Sequence, residues 1–153
     1  MAAHLRGGCQ FLWDPTSRRH SKLAQRLSRK GFSVLARNED FLLKNSLPES
    51  GIEDIVSNPP FGIGRRMACH FIAHALGLVP IVAMLLRIDF DSAKMRTIRS
   101  ATVPPSVARS FCLIALSGLS APERGGPSDN HAWYLWDRQH QGPLIIRYAR
   151  RPK

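Results

Sequence analysis

The string Asn58-Pro59-Pro60-Phe61, followed by Gly62, carries more chemical information than any other stretch of this 153-residue chain. Two consecutive prolines fix two φ angles and remove two amide donors, so the local carbonyls and the Asn58 side chain can be held toward a pocket as acceptors. A rigid loop of this kind suits a planar amino group, and Phe61 offers a ring on which a base stacks. Arg65 and Arg66 follow closely. They are placed either to meet the phosphates flanking such a base or to sit solvated on the first turn of a helix.

Other constellations carry less. His70 and His74 have the spacing of a metal-binding pair on a helix, but residue 71 is Phe where a zinc-protease helix needs Glu, and no third ligand is signalled. No metal is expected. Ser117-Gly118-Leu119-Ser120 lacks the Gly-x-Ser-x-Gly elbow of a hydrolase, and there is no Walker loop. His131 and His140 are expected only to add polarity near the late strands.

The elements that must position the Asn-Pro-Pro loop follow from the apolar periodicity. Residues 9–13 read as a short buried strand stopped by Asp14-Pro15, and residues 21–29 as an amphipathic helix with a basic face, closed by Gly31. Residues 32–36 and 54–57 read as further strands, with 65–78 as a helix between 54–57 and the continuous apolar strand 81–87. A helix over 91–100 and strands over 110–116, 132–136 and 144–148 complete the pattern, with a Gly/Pro-rich loop at 120–130. This order predicts an α/β fold: a Rossmann-like, mostly parallel sheet with helices on both faces and a C-terminal antiparallel hairpin. Ligands in such sheets bind beyond the carboxyl ends of the strands, where the Asn58 loop falls.

The Asn58-Pro59-Pro60-Phe61 string resembles the Asn-Pro-Pro-Phe/Tyr loop of class I S-adenosylmethionine-dependent methyltransferases, particularly those that modify the exocyclic amine of adenine in DNA. The similarity extends further. Trp13-Asp14-Pro15 resembles the start of the family's cofactor loop, Gly31-Phe32-Ser33-Val34 its second strand, and Asp40-Phe41-Leu42 the acidic stretch beside the cofactor's adenine. Ala83-Met84-Leu85-Leu86-Arg87 and Ala132-Trp133-Tyr134-Leu135-Trp136-Asp137 are similar to later strands of small phage and prophage methyltransferases. The resemblance implies S-adenosyl-L-methionine as cofactor, held by Asp14, Pro15, Thr16, Asn38, Asp40 and Phe41. It implies Asn58, Pro59, Pro60 and Phe61 as the catalytic loop, acting on a base flipped out of DNA, with Arg65 and Arg66 at its phosphates. It also implies a single methyltransferase-like domain over 1–153, with target choice weak or supplied by a separate partner.

The chain departs from the family pattern in two places, the cofactor loop and the end of the second strand. Arg18 and His20 stand where the cofactor loop has glycines that let the backbone approach the ligand, and Asn38 stands where an acid would meet the ribose. Two alternatives therefore stay open: a methyltransferase of the same fold acting on protein glutamine or on guanine in RNA, and an inactive methyltransferase-like domain that binds nucleic acid.

Charge fits a polyanionic partner. The chain carries 22 Lys+Arg against 11 Asp+Glu, a formal +11. Residues 1–31 hold a net +6, 32–64 a net −3, 65–99 a net +4, and 130–153 a net +4, so basic stretches bracket an acidic middle. Cations facing phosphates release condensed counterions and gain salt-dependent affinity. Cys9, Cys69 and Cys112 are odd in number and far apart, and the longest apolar stretch, 75–86, is interrupted by Gly77 and Pro80. A soluble, cytoplasmic protein without membrane contact is expected.

Overall fold

Strand β1 (Phe11–Asp14) is apolar until its last residue, and Asp14-Pro15 ends it as the dipeptide's restricted backbone dictates. In the computed structural model the described residues are 10–17, 21–60, 64–91, 114–116 and 131–140, with backbone alone at 64–66, 89, 91 and 114–116. Helix α1 (Lys22–Ser28) starts where the Ser21 hydroxyl accepts from the Ala24 amide at 3.0 Å, an N-cap that satisfies one of the orphan donors of the first turn. It stops at Gly31, whose φ of +90° suits a residue without Cβ. Strand β2 (Ser33–Ala36) follows at once.

Strand β3 (Ile52–Ser57) begins two residues before the expected span 54–57. The reason is a bulge: Phe11 pairs with Ile52 but Leu12 with Asp54, so Glu53 is the extra residue and turns outward to solvent. Helix α2 (Gly64–Leu78) buries Cys69, Phe71, Ile72, Ala75 and Leu76, a stripe at helical spacing. Strand β4 (Ile81–Arg87) is buried on both faces from Ile81 to Leu86, as its unbroken hydrophobicity requires.

Among the described residues the sheet has six strands in the order β2-β1-β3-β4-β6-β5, where β5 is Ile114–Leu116 and β6 is His131–Asp137. β2, β1, β3 and β4 are parallel, and β6 runs antiparallel between β4 and β5. This is a mixed α/β, Rossmann-like arrangement that ends in antiparallel strands.

Alternation sorts the sheet's side chains into two cores. Trp13, Ile55, Val82, Met84, Leu86, Tyr134 and Trp136 face α2 and the 3₁₀ turn Phe41–Leu43. Leu12, Val56, Ile81, Ala83, Leu85, Trp133 and Leu135 form the other core, in which α1 places Leu27. Both faces thus carry a helix, as expected. Each large side chain withdrawn fully from water contributes about 1.5–3 kcal/mol, so Trp13, Tyr134 and Trp136 anchor the first core. The Tyr134 hydroxyl also donates toward the carbonyls of Arg87 and Ile88, at 3.3 and 3.0 Å.

No helix among the described residues is long and apolar enough to cross a membrane. Of the helix expected over 91–100, residues 92–100 lie outside the described residues, as do the strand expected over 144–148, Cys9, Cys112 and the segment 117–130.

Candidate active site

The chain leaves β1 toward β2 on one side, and β3 takes the place on β1's other side, so the sheet reverses its order between β1 and β3. Loops leaving the two strands at such a point diverge to opposite faces and open a crevice beyond the carboxyl ends. Asp14 ends β1 and Ser57 ends β3. Both are polar residues in an apolar setting, and both are fully buried.

A hydroxyl network joins them. The Ser57 hydroxyl donates to Asp14 Oδ1 at 3.0 Å, and the Thr16 amide and hydroxyl approach the same oxygen at 3.3 and 3.2 Å. Thr16 Oγ1 lies 2.6 Å from Ser57 Oγ and 3.1 Å from the Asn58 carbonyl. Two hydroxyl protons are therefore shared among the Asp14 oxygen, the Asn58 carbonyl and one another. Through Thr16, the loop after β1 is fastened to the first residue of the Asn-Pro-Pro string.

Burial pushes the Asp14 carboxyl above its ordinary value, because removing a carboxylate from water disfavours the charged form. The hydroxyls of Ser17 and Ser57 and the amide and hydroxyl of Thr16 pull the other way and only partly offset it. Oδ2 of the same carboxyl is buried with no hydrogen-bond partner among the described residues. A polar oxygen in that state suits a ligand donor.

The loop after β2 is laced to the same place. The Arg37 amide donates to the Asp14 carbonyl and the Glu39 amide to the Pro15 carbonyl, each at 3.2 Å. Asn38 and Asp40 flank this tie and are exposed. The Glu39 carboxylate pairs with Lys44 Nζ at 2.7 Å, closing the loop over the 3₁₀ turn.

Phe41 is placed differently from Asn38 and Asp40. Its ring is buried against Trp13 and His74, both edge-on, and tilted against Phe71. It forms the floor beneath the loops. His74 Nε2 lies 2.8 Å from the Lys44 carbonyl, to which an Nε2–H tautomer donates, tying α2 to the end of the 3₁₀ turn.

Of the residues singled out in the sequence, Asp14, Thr16 and the Asn58 carbonyl meet in one network, the Pro15 carbonyl accepts from the Glu39 amide beside it, and Asn38 and Asp40 flank Glu39. Asn58 and Pro60 are exposed at the rim, while Pro59 is buried. Phe61, Arg18 and His20 lie outside the described residues, and Arg65 and Arg66 are described only by backbone, in the first turn of α2. Ser57 joins the network and belongs to no motif of its own. Its signal is a hydroxyl that follows the buried apolar pair Ile55-Val56 directly before Asn-Pro-Pro. A cavity of about 210 Å³ at the opposite, amino-terminal end of the strands, lined by Gln10, Glu53, Asp54 and Pro80, is remote from this network.

No family model and no curated protein matches the chain. Among solved structures, the chain is similar to a Thermoplasma acidophilum protein designated 1320, at 10% identity and a TM-score of 0.48, over 88% of this chain and 82% of that one.

Proposed function

We propose that the chain is an S-adenosylmethionine-dependent methyltransferase acting on the exocyclic amine of adenine in DNA. The observation that carries this reading is the hydrogen-bonded junction of Asp14 and Thr16 with Ser57 and Asn58 at the sheet's switch point. The two strings that resemble the family's cofactor loop and catalytic loop meet at one end of the sheet, although 42 positions separate Thr16 from Asn58.

The residues present fit the cofactor at its polar groups. The buried, unpartnered Asp14 Oδ2 is a counterpart for a cationic amine, and the exposed Asn38 and Asp40 beside the Glu39–Pro15 tie are placed for hydroxyl groups. When bound, S-adenosylmethionine supplies a methyl group already activated on a positive sulfonium.

The protein's own part is alignment. The Asn58 side-chain oxygen and the Pro59 carbonyl accept the two hydrogens of the substrate amine, which points its lone pair along the line of transfer, and the surplus proton leaves to solvent. Holding reactants in a near-attack geometry is worth several kcal/mol of barrier. A target inside a duplex must first be unstacked and flipped, and the net positive charge of the chain favours the phosphates on either side.

The test is transfer of labelled methyl from S-adenosylmethionine to DNA, RNA and protein substrates in parallel, together with calorimetric titration of the cofactor. Label in DNA, at adenine, is expected. Label in protein or RNA alone overturns the choice of substrate, and absence of cofactor binding at millimolar concentration overturns the enzyme reading.

A further inference from the structure

We propose that the outward face of α1 is a docking surface for the phosphate backbone of nucleic acid, with Lys22, Arg26 and Arg29 as its contacts. Choosing a nucleic acid among polyanions rests on the function proposed above; the surface itself rests on the helix.

The inward side of α1 is already occupied. Ala24 and Leu27 are buried, and Leu23 packs beside Leu27 with Phe32 and Val34. The opposite side is cationic. Lys22, Arg26 and Arg29 recur at spacings of four and three, and Arg29, the C-cap, keeps helical dihedrals, so the three share a sector about 60° wide. Lys30 follows them, all four are exposed, and no Asp or Glu occurs from 21 to 31.

None of the four makes an ion pair with a described residue. The ion pairs among the described residues join Arg37 to Glu49 and Lys44 to Glu39, on the loops beyond β2. Like charges a turn apart destabilise a helix, and a polyanion laid along them reverses that sign.

Length and polarity decide the kind of partner. From Lys22 to Arg29 the helix rises about 10 Å, over which one strand of duplex DNA presents about three phosphates. A membrane-surface helix must instead bury its apolar face in lipid, and here that face is spent on the sheet. The exposed large hydrophobic side chains among the described residues are Leu43 and Ile88, neither of them on α1. Because α1 starts beyond the carboxyl end of β1, Lys22 lies toward the Asp14 network and Arg29 away from it.

The experiment is fluorescence anisotropy of a labelled DNA duplex, without cofactor, over a range of salt concentrations. Wild type is compared with the triple variant Lys22→Gln/Arg26→Gln/Arg29→Gln and with the charge-preserving Lys22→Arg/Arg26→Lys/Arg29→Lys. The glutamine variant is expected to lower the slope of log K against log salt by about 2 to 3 units, with the charge-preserving variant close to wild type. Equal slopes for all three proteins overturn the proposal, as does binding of wild type to phosphatidylserine vesicles but not to DNA. Methyl transfer is measured separately on the same proteins. A lowered slope without transfer in any of them sinks the enzyme reading and leaves the docking surface standing; transfer with unchanged slopes does the reverse.

Discussion

The Thr16 hydroxyl approaches the Asn58 carbonyl at 3.1 Å and the Ser57 hydroxyl at 2.6 Å, so one side chain on the loop after β1 holds the carboxyl end of β3. Replacing it with valine keeps the β-branched shape and removes the bridge. Thr16→Val is expected to cost about 1–2 kcal/mol in urea unfolding, the usual cost of hydrogen bonds lost at a partly buried site. Thr16→Ser, which keeps the hydroxyl, should lose less. If valine matches wild type in both stability and cofactor affinity, the bridge does not organise the crevice.

Asp14 makes stability depend on pH in a defined direction. Its carboxyl is raised in the folded state, so the native protein binds the proton more readily than the unfolded chain, and stability from this group falls as pH rises. The penalty is absent below the unfolded value near 3.8 and complete once pH has passed the raised folded value. Asp14→Asn carries no such titration. Unfolding of both proteins across this range should show wild type losing ground to the variant with increasing pH, and a constant difference would show that burial does not govern this carboxyl.

The sheet is largely legible from residue pattern, and the site only partly. β1, β2 and β4 stand out because apolar runs of three to six residues end abruptly at Asp14-Pro15, at Arg37 and at Arg87. The start of β3 does not, since the bulge at Glu53 interrupts alternation and is decided by pairing with β1. The 3₁₀ turn Phe41–Leu43 is too short to show periodicity. Phe41 follows an acid in a loop and reads as a ligand contact, yet three aromatic neighbours from β1 and α2 enclose it, and a single sequence does not disclose long-range packing. For the same reason Ser57 is silent until Asp14 and Thr16 are seen beside it.

Because Phe41 is the floor under the loops, its loss should be felt first as stability. Phe41→Ala removes a ring packed against Trp13, Phe71 and His74 and is expected to cost about 3–5 kcal/mol by denaturant unfolding. Phe41→Leu, which fills much of the space, should recover part of the loss. Should the alanine variant stay within about 1 kcal/mol of wild type while cofactor affinity collapses, the ring acts on ligand and not as floor.

Asn58 behaves oppositely, because it is exposed while its backbone is held from below by Thr16. Asn58→Ala leaves the carbonyl and its hydrogen bond in place and removes only the side-chain acceptor. Stability should change by less than about 0.5 kcal/mol, as at other solvent-facing positions. Under the proposed function cofactor affinity should also hold, since Asp14, Asn38 and Asp40, the residues assigned to the cofactor there, are untouched. Methyl transfer should fall by a factor on the order of 10² or more, the scale of losing one preorganised hydrogen bond at a reacting group. Under the proposed function the loss belongs in kcat more than in KM, because there the acceptor acts on the amine during transfer and only weakly on the rest of the substrate. Single-turnover transfer that is unchanged in Asn58→Ala, with cofactor bound normally, would show that the Asn-Pro-Pro loop does not align the amine.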